Sequence, residues 1–206
     1  MITVIDYGSG NLRSISNSFS HINVESTITN DPEEVAEAEY LVLPGVGAFG
    51  QIMKSIEPYK KVIKEHVDDG KPFLGVCLGL QALLSSSEEA PGVKGLSIFK
   101  GEVKKLPNDN RMLKMPHMGW NRLDMTLCEP KKTCAIIDGI VQDYFYFVHS
   151  YYAAPDDEEV IAGTVKYGFD VTAVLHENNV YATQFHPEKS GVSGLKMLKN
   201  FVTMSI

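Results

Sequence analysis

Short apolar runs alternate with helical patterns through the first half of the chain, and this alternation restricts the possible folds more than any other feature. Met1–Asp6, Tyr40–Leu43 and Pro72–Val76 are largely apolar at consecutive positions, which is typical of strands buried on both faces. Between them, Asn11–Ile22 and Tyr59–Asp68 carry apolar side chains at helical spacing, the first with an asparagine as its expected N-cap. Strands that alternate with helices form a largely parallel sheet covered on both faces. The first half therefore predicts an α/β fold.

The second half predicts successive strands joined by short turns. A helix is first expected over Leu78–Ser86, and Glu177–Asn179 has the composition of a hairpin turn. A last helix is expected over Val192–Val202, and its inward side chains are Val192, Leu195, Leu198, Phe201 and Val202. The predicted strands are Ser97–Leu106, Tyr144–Tyr152, Val160–Tyr167, Val171–His176 and Val180–Phe185. We expect an antiparallel portion added to the parallel sheet. No linker-like stretch divides residues 1–206, so a single domain is expected.

Charge and cysteine content exclude several classes of function. The chain has 206 residues, 19 of them basic and 26 acidic, for a net charge of −7. Nucleic acids bind clustered Lys and Arg, so they are not expected partners. The apolar run Tyr40–Phe49 is too short to span a membrane, and the first residues lack a secretory signal. Cys77, Cys128 and Cys134 are too widely spaced for a disulfide framework or a zinc site. We expect a cytoplasmic protein without metal or cofactor.

The pentapeptide Gly75-Val76-Cys77-Leu78-Gly79 lies where a predicted strand gives way to a predicted helix. A nucleophile on such a tight turn needs small residues two positions before and after it, because the backbone folds sharply there. The turn exposes the sulfur, and the helix N-terminus favours thiolate over thiol. Cys77 is therefore the candidate nucleophile. The alternative is an inert buried cysteine between two packing glycines.

A candidate proton-transfer pair, His186 and Glu188, follows the last predicted strand. Residues two apart in an extended chain point the same way, so this carboxylate can orient the imidazole. The alternative is an exposed turn at a sheet end. Sites in open α/β sheets gather at the carboxyl ends of strands, so we expect this pair beside Cys77. His21 and His66, on predicted helices, are expected to be solvated.

A third segment, Pro44-Gly45-Val46-Gly47, ends a predicted strand at the same edge. An acyl-transfer transition state carries a negative oxygen that two or more backbone N–H groups can stabilise. Glycine tolerates the backbone angles that turn amides toward this oxygen. Gly45 and Val46 are therefore expected donors, and the N–H of Leu78, directly after the nucleophile, is the second.

Together these segments resemble the class I, or triad, glutamine amidotransferases, and the resemblance covers essentially the whole chain. It rests on Pro44-Gly45-Val46-Gly47, Gly75-Val76-Cys77-Leu78-Gly79-Leu80-Gln81 and Gln184-Phe185-His186-Pro187-Glu188-Lys189-Ser190. Within this family the chain is similar to the glutaminase subunits of imidazole glycerol phosphate synthase. That similarity rests on Ile5–Leu12, Pro44–Gly50, Pro116–Asn121 and Tyr146–Tyr151. The resemblance implies a flavodoxin-like α/β fold.

The resemblance also implies a reaction and the residues that perform it. Cys77 attacks the side-chain amide of L-glutamine, His186 transfers the proton, and water resolves the thioester to glutamate. The matching positions that hold glutamine are Gln81, Glu89, Ser150 and Tyr151. Ammonia passes to a separate (β/α)8-barrel cyclase subunit, which forms imidazole glycerol phosphate and an aminoimidazole carboxamide ribotide in histidine biosynthesis.

By the same match, the chain and the cyclase subunit form a heterodimer, and the expected contacts are Asn11, Trp120, Tyr146 and Lys189. A dry path between the subunits keeps ammonia neutral and undiluted. Trp120 is the only tryptophan, and aromatic residues anchor many interfaces; the alternative is core packing. We also expect the oxyanion donors to be turned away until the cyclase binds its substrate. Cys128 and Cys134 match no family motif and are expected in a variable loop.

Three other functions remain open on the sequence alone. A different amidotransferase partner, as in anthranilate synthase or guanylate synthetase, is disfavoured by Pro116–Asn121. A stand-alone cysteine hydrolase of γ-glutamyl peptides does not need Trp120 or Lys189 at its surface. A binding subunit without catalysis does not need Cys77 and His186 intact.

Overall fold

The computed structural model describes residues 1–107, 113–125, 134–140 and 143–204 of the chain. Its strands are β1 (Ile2–Ile5), β2 (Ser26–Thr29), β3 (Tyr40–Gly45), β4 (Phe73–Cys77), β5 (Ser86–Ser87), β6 (Gly101–Lys105), β7 (His117–Asp124), β8 (Tyr144–His149), β9 (Tyr151–Pro155), β10 (Ile161–Tyr167), β11 (Phe169–Glu177) and β12 (Val180–Thr183). Its helices are α1 (Leu12–His21), α2 (Pro32–Ala36), α3 (Phe49–Ser55), α4 (Lys60–Asp68), α5 (Leu78–Ala82) and α6 (Gly191–Val202). Within these ranges, no helix combines the length and the apolar character that crossing a membrane requires.

The main sheet has nine strands in the described part of the chain, in the order β2-β1-β3-β4-β12-β11-β10-β7-β8. The first five pair in parallel, and the pairs from β12 to β8 are antiparallel. A smaller sheet has the order β5-β6-β9. The predicted fold class, α/β with an added antiparallel portion, is confirmed.

Alternating side chains of the central strands divide the core into two layers. On β3, Val42 belongs to the layer that contains residues of α1 and α6, whereas Leu41 and Leu43 belong to the layer that contains residues of α2, α3, α4 and α5. On β4, Leu74 and Phe73 divide in the same way. Successive side chains of a strand point to opposite faces, so a continuous apolar run places helices on both sides.

The helix predicted over Leu78–Ser86 ends at Ala82. The carbonyl of Ala82 accepts a hydrogen bond from the N–H of Leu96 at 2.8 Å. The carbonyl of Leu84 accepts one from the N–H of Ser97 at 3.2 Å. A neighbouring segment thus satisfies carbonyls that further helical turns would have used, and the longer helix prediction is wrong.

The single strand predicted over Tyr144–Tyr152 is also wrong. The chain turns at Ser150, and the two strands on either side belong to different sheets. β8 pairs with β7, whereas β9 pairs with β6. This turn lies beside the site described below, so the break between the strands contributes to the cavity wall.

The prediction that Val192 faces inward on the last helix is wrong, whereas Leu198 and Phe201 are buried as predicted. Val192 is 83% exposed, whereas Met197 and Phe201 are fully buried. Gly194 lies so close to Pro187 that an added Cβ would be 1.9 Å from the Pro187 carbonyl oxygen. This contact turns the Gly194 side of α6 toward the sheet and the Val192 side toward solvent.

Candidate active site

Cys77 lies on a sharp turn between β4 and α5, as the last residue of the strand and the residue before the helix. Its backbone angles are φ +55° and ψ −106°. Non-glycine residues rarely occupy this region, and doing so costs about 1–3 kcal/mol. Such strain persists only where the surrounding structure holds it, and it is typical of functional sites.

Glycines around the turn allow the backbones of β3, β4 and α5 to touch. A Cβ added to Gly79 would lie 1.9 Å from the carbonyl oxygen of Leu43, and one added to Gly75 would lie 2.9 Å from that of Gly79. Gly45 pairs with Cys77 across the two strands, and a Cβ there would lie 2.5 Å from the Gly79 nitrogen. The spacing of Gly75 and Gly79, two residues before and after Cys77, thus has a steric cause.

His186 and Glu188 follow β12, which pairs in parallel with β4, so they lie at the same sheet edge as Cys77. The Nδ1 atom of His186 is 2.8 Å from Oε1 of Glu188, and both side chains are 2% exposed. The extended geometry expected between them is wrong, because Pro187–Lys189 forms a short 3-10 turn. The turn brings the carboxylate back to the imidazole.

Opposing effects act on the protonation of His186. Burial lowers its pKa, but interactions with Cys77 and Glu188 outweigh burial and raise the pKa above its ordinary value of 6.5. Within the described residues, the buried Nε2 atom makes no hydrogen bond of regular geometry, but the Cys77 sulfur is near enough to raise the pKa of the imidazole. The imidazole therefore holds its proton more readily than a free histidine side chain does.

Two neighbouring side chains hold this pair in place. The Nδ2 atom of Asn11 donates to Oε1 of Glu188 at 3.1 Å. Although Asn11 occupies the N-cap position of α1, its side chain makes no capping hydrogen bond to the helix backbone. The Ser190 hydroxyl donates to the carbonyl of His186 at 2.6 Å and accepts from the N–H of Tyr146 at 3.0 Å. Glu188 is thus fixed from α1, and the turn is fixed from β8.

A cavity of about 380 Å³ opens beside the sulfur and the imidazole. Val46, Gly47 and Leu78 contribute to its wall. Leu78 is the first residue of α5, so its N–H has no acceptor within the helix. A backbone donor that has no acceptor within its own helix and lies beside a thiol can stabilise a developing oxyanion.

Comparison with known proteins assigns the family. The chain matches the family described as glutamine amidotransferase class-I over residues 3–204. It is 50% identical over 202 residues to the imidazole glycerol phosphate synthase subunit HisH of Methanothermobacter thermautotrophicus, covering 98% of each chain. It is 47% identical over 205 residues to the HisH subunit of Methanocaldococcus jannaschii, covering 99% of this chain and 100% of the other. The chain belongs to the HisH family of class I glutamine amidotransferases.

Solved structures agree on the fold. A crystal structure of a glutamine amidotransferase superposes with a TM-score of 0.76 at 16% identity, covering 98% of this chain and 97% of the other. The structure of PurLQS from Thermotoga maritima gives a TM-score of 0.72 at 16% identity, covering 98% and 96%. At these identities the likeness shows the shared α/β fold of the amidotransferase family.

The four positions predicted to hold glutamine in this amidotransferase line the same cavity: Gln81, Glu89, Ser150 and Tyr151. Oε2 of Glu89 accepts a hydrogen bond from the N–H of Phe49 at 2.7 Å, which ties it to the start of α3. Nε2 of Gln81 donates to the carbonyl of Tyr151 at 2.9 Å. These bonds place fixed polar groups around an amino-acid-sized space.

Three of the four predicted partner contacts form one cluster on the β7–β8 edge. The rings of Trp120 and Tyr146 have centroids 6.0 Å apart, and the Nζ atom of Lys189 lies 6.0 Å from the Tyr146 ring centre. Trp120 is 53% exposed, so core packing is not its role. Asn11 lies apart from this aromatic-basic cluster, half-buried against Glu188.

Sequence reasoning missed a buried histidine pair beside the cavity. Nδ1 of His117 is 2.9 Å from Nε2 of His149, whose own Nδ1 is 2.9 Å from the carbonyl oxygen of Tyr151. Burial lowers the pKa of His117 to about 4 and that of His149 to about 3. A carbonyl can only accept, so neutral His149 carries its proton on Nδ1 and accepts from His117. No pattern in the sequence shows that these residues face each other across β7 and β8.

Two further residues differ from expectation. His66, predicted to be solvated, is 2% exposed, and its Nε2 is 3.0 Å from the carbonyl oxygen of Pro72. Cys134, predicted in a variable loop, is 6% exposed and belongs to the hydrophobic core. Cys128, predicted in the same loop, lies outside the described residues.

Proposed function

We propose that this chain is the glutaminase subunit of imidazole glycerol phosphate synthase. It hydrolyses glutamine through a thioester on Cys77 and passes ammonia to a (β/α)8-barrel cyclase subunit. The observation that carries the proposal is the buried His186–Glu188 pair beside a strained Cys77, in a chain half identical to a HisH subunit. We also propose a single domain over residues 1–206, supported by the family match over 3–204, and a cytoplasmic location, supported by relatives that are subunits of imidazole glycerol phosphate synthase.

The first half of the reaction forms the thioester. The sulfur of Cys77 attacks the side-chain amide carbon of glutamine, and the oxyanion is stabilised by backbone N–H groups of Leu78 and the Gly45–Val46 strand end. His186 donates its proton to the amide nitrogen as the C–N bond breaks, and ammonia leaves. In the second half, His186 takes a proton from water, which attacks the thioester and releases glutamate.

The charges of the cavity suit the amino-acid end of glutamine. Both N–H groups of the Gln81 amide are occupied, by the carbonyl of Tyr151 and by Oε1 of Gln184. Its own carbonyl oxygen is therefore the atom offered to a ligand, and it accepts from an ammonium group. Glu89 supplies negative charge on the same wall. A zwitterionic substrate is thereby oriented with its amide toward Cys77.

The aromatic-basic cluster Trp120–Tyr146–Lys189 is the proposed docking surface for the cyclase subunit. Large exposed aromatic side chains beside a cation are typical of interface centres. Lys189 is only three residues from His186, and the backbone N–H of His186 donates a hydrogen bond to the carbonyl of Tyr146 at 3.0 Å. Docking at this cluster therefore covers the catalytic edge of the sheet, where ammonia must leave without meeting water.

The decisive experiment combines the purified chain with candidate barrel subunits. Glutamate release is measured for the chain alone, for the complex, and for the complex with the cyclase nucleotide substrate. We expect a stable heterodimer and a rise in glutamate release when barrel and nucleotide are present. A chain that hydrolyses γ-glutamyl substrates equally fast without a barrel would instead be a stand-alone hydrolase.

Replacing Trp120 with alanine is expected to weaken the complex. Loss of an interface anchor costs about 2 kcal/mol, or roughly 30-fold in Kd. Calorimetric titration of the barrel subunit measures the change. The matched control is Val192→Ala, an exposed apolar residue on α6 that is expected to leave Kd unchanged. Equal affinities for the parent and Trp120→Ala would contradict the proposed surface.

Glu188→Gln is expected to lower kcat about 10²-fold with little change in KM. The neutral amide cannot hold the imidazolium as the carboxylate does, whereas the nucleophile and the cavity remain. The loss should be smaller than that of His186→Ala, because an orienting group contributes less than the base. Glu65→Gln, on the exposed face of α4, is the control. Steady-state kinetics of the complex measure kcat and KM for each variant. An unchanged kcat in Glu188→Gln would show that Glu188 does not act with Cys77 and His186.

A further inference from the structure

Gln184 follows β12 directly and is fully buried. Its Nε2 atom lies 3.7 Å from the sulfur of Cys77. Its Oε1 atom lies 3.2 Å from Nε2 of Gln81. Buried polar groups are almost always paired, and both ends of this amide have a partner at the active site.

A chain of hydrogen bonds determines which end of the Gln184 amide meets the sulfur. The backbone carbonyl of Tyr151 can only accept, so the group of Gln81 next to it is the NH₂. The second N–H of that NH₂ requires an acceptor, which is the carbonyl oxygen of Gln184. The opposite orientation would place two NH₂ groups against each other. The NH₂ of Gln184 therefore points at Cys77.

We propose that Gln184 takes part in glutamine hydrolysis by donating an amide hydrogen bond to the Cys77 sulfur, which stabilises the thiolate. The carbonyl oxygen of Gln184 accepts a hydrogen bond from Gln81, which lines the cavity and is one of the residues proposed to hold glutamine. The inference rests on the proposed role of Cys77 as nucleophile. Hydrogen bonds to an ionised partner are about twice as strong as neutral ones, so this amide favours thiolate over thiol.

Substitutions of Gln184 leave the other groups near the sulfur chemically unchanged. The carbonyl oxygen of Val148 lies 4.0 Å from the sulfur, at the outer limit for a thiol hydrogen bond. The titratable groups that interact with the thiol are His186, after β12, and Tyr7, after β1. A change in thiol reactivity in a Gln184 variant therefore reports on the amide.

The test is the rate at which iodoacetamide alkylates Cys77 in the full chain, located by mass spectrometry. Gln184→Met keeps the length of the side chain and removes the donor. We expect alkylation at pH 7 to slow about tenfold, with the pH profile displaced about one unit upward. At about pH 10, where a free thiol ionises in every variant, the rates should converge. Convergence distinguishes a lost hydrogen bond from a blocked or distorted site.

Gln184→Glu is the second variant, since it preserves shape and the acceptor facing Gln81. A carboxylate beside the sulfur repels the thiolate, so alkylation should slow at least as much. The control is Gln51→Met, an exposed position on α3, with an unchanged rate. Rates within twofold of the parent at pH 7, in whichever Gln184 variant folds, would overturn the inference. The proposed function fails separately, if Cys77→Ala still hydrolyses glutamine.

Discussion

Cys77→Ala is expected to lower glutamine-dependent activity of the complex by about 10⁴-fold or more. Without the sulfur no thioester forms, and the remaining oxyanion donors and binding groups supply only the residual catalysis seen when a nucleophile is removed. Glutamate release and synthesis of imidazole glycerol phosphate are the two measurements. Both should fall together when glutamine is the nitrogen source.

Ammonia-dependent synthesis by the same Cys77→Ala complex should be unchanged, because the cyclase subunit needs ammonia and not the thioester. Cys134→Ala is the matched control, since it removes a second buried thiol from the core without touching the cavity. It should keep full glutaminase activity. Glutaminase activity that survives in Cys77→Ala would end the nucleophile assignment.

Gly79→Ala is expected to destabilise the protein and to inactivate it. The added Cβ would lie 1.9 Å from the carbonyl oxygen of Leu43, where backbone faces backbone and no side chain can move aside. The cost is about 3 kcal/mol or more, which for a chain of this length lowers Tm by roughly 6–12 °C. Thermal unfolding and glutamate release measure the two effects.

Gly50→Ala is the control for a glycine inside a helix. An added Cβ there would lie 3.4 Å from Cβ of Ala90, an ordinary contact, and alanine favours α3 by about 0.5–1 kcal/mol. This variant should be as stable as the parent or more so. A Gly79→Ala protein with parent-like Tm would show that the strand-to-helix turn at Cys77, here called the elbow, is not held by backbone packing.

The elbow shows how far a local pattern can be carried. Glycines two positions before and after Cys77 predicted a strand-to-helix turn, and the backbone contacts of Gly75 and Gly79 supply the cause. The observed helix beyond the elbow is shorter than the predicted one. The N–H groups of Leu96 and Ser97 donate hydrogen bonds to carbonyls that a longer helix would have used. A pattern within a segment reports on that segment alone, and hydrogen bonds from elsewhere decide where it ends.

The predicted proton-transfer pair shows a second limit of local patterns. His186 and Glu188 were predicted as neighbours, but from an extended chain, whereas a 3-10 turn joins them. Asn11 was predicted to cap α1, whereas its side chain makes no hydrogen bond to the helix backbone and contacts Glu188. That contact joins residues 177 positions apart. Its existence depends on how α1 and the turn after β12 meet at the sheet edge.

By itself, the sequence determined the α/β class, the family and the strand-to-helix turn at Cys77, and it predicted the residues proposed for thiol chemistry. These follow from side-chain periodicity and from short motifs whose spacing has a local steric meaning. Only the tertiary structure decided that Gln184 meets the sulfur, that His117 meets His149, and that Trp120 and Tyr146 share an exposed edge. Those contacts are set by strand order and register, which periodicity within one strand does not encode.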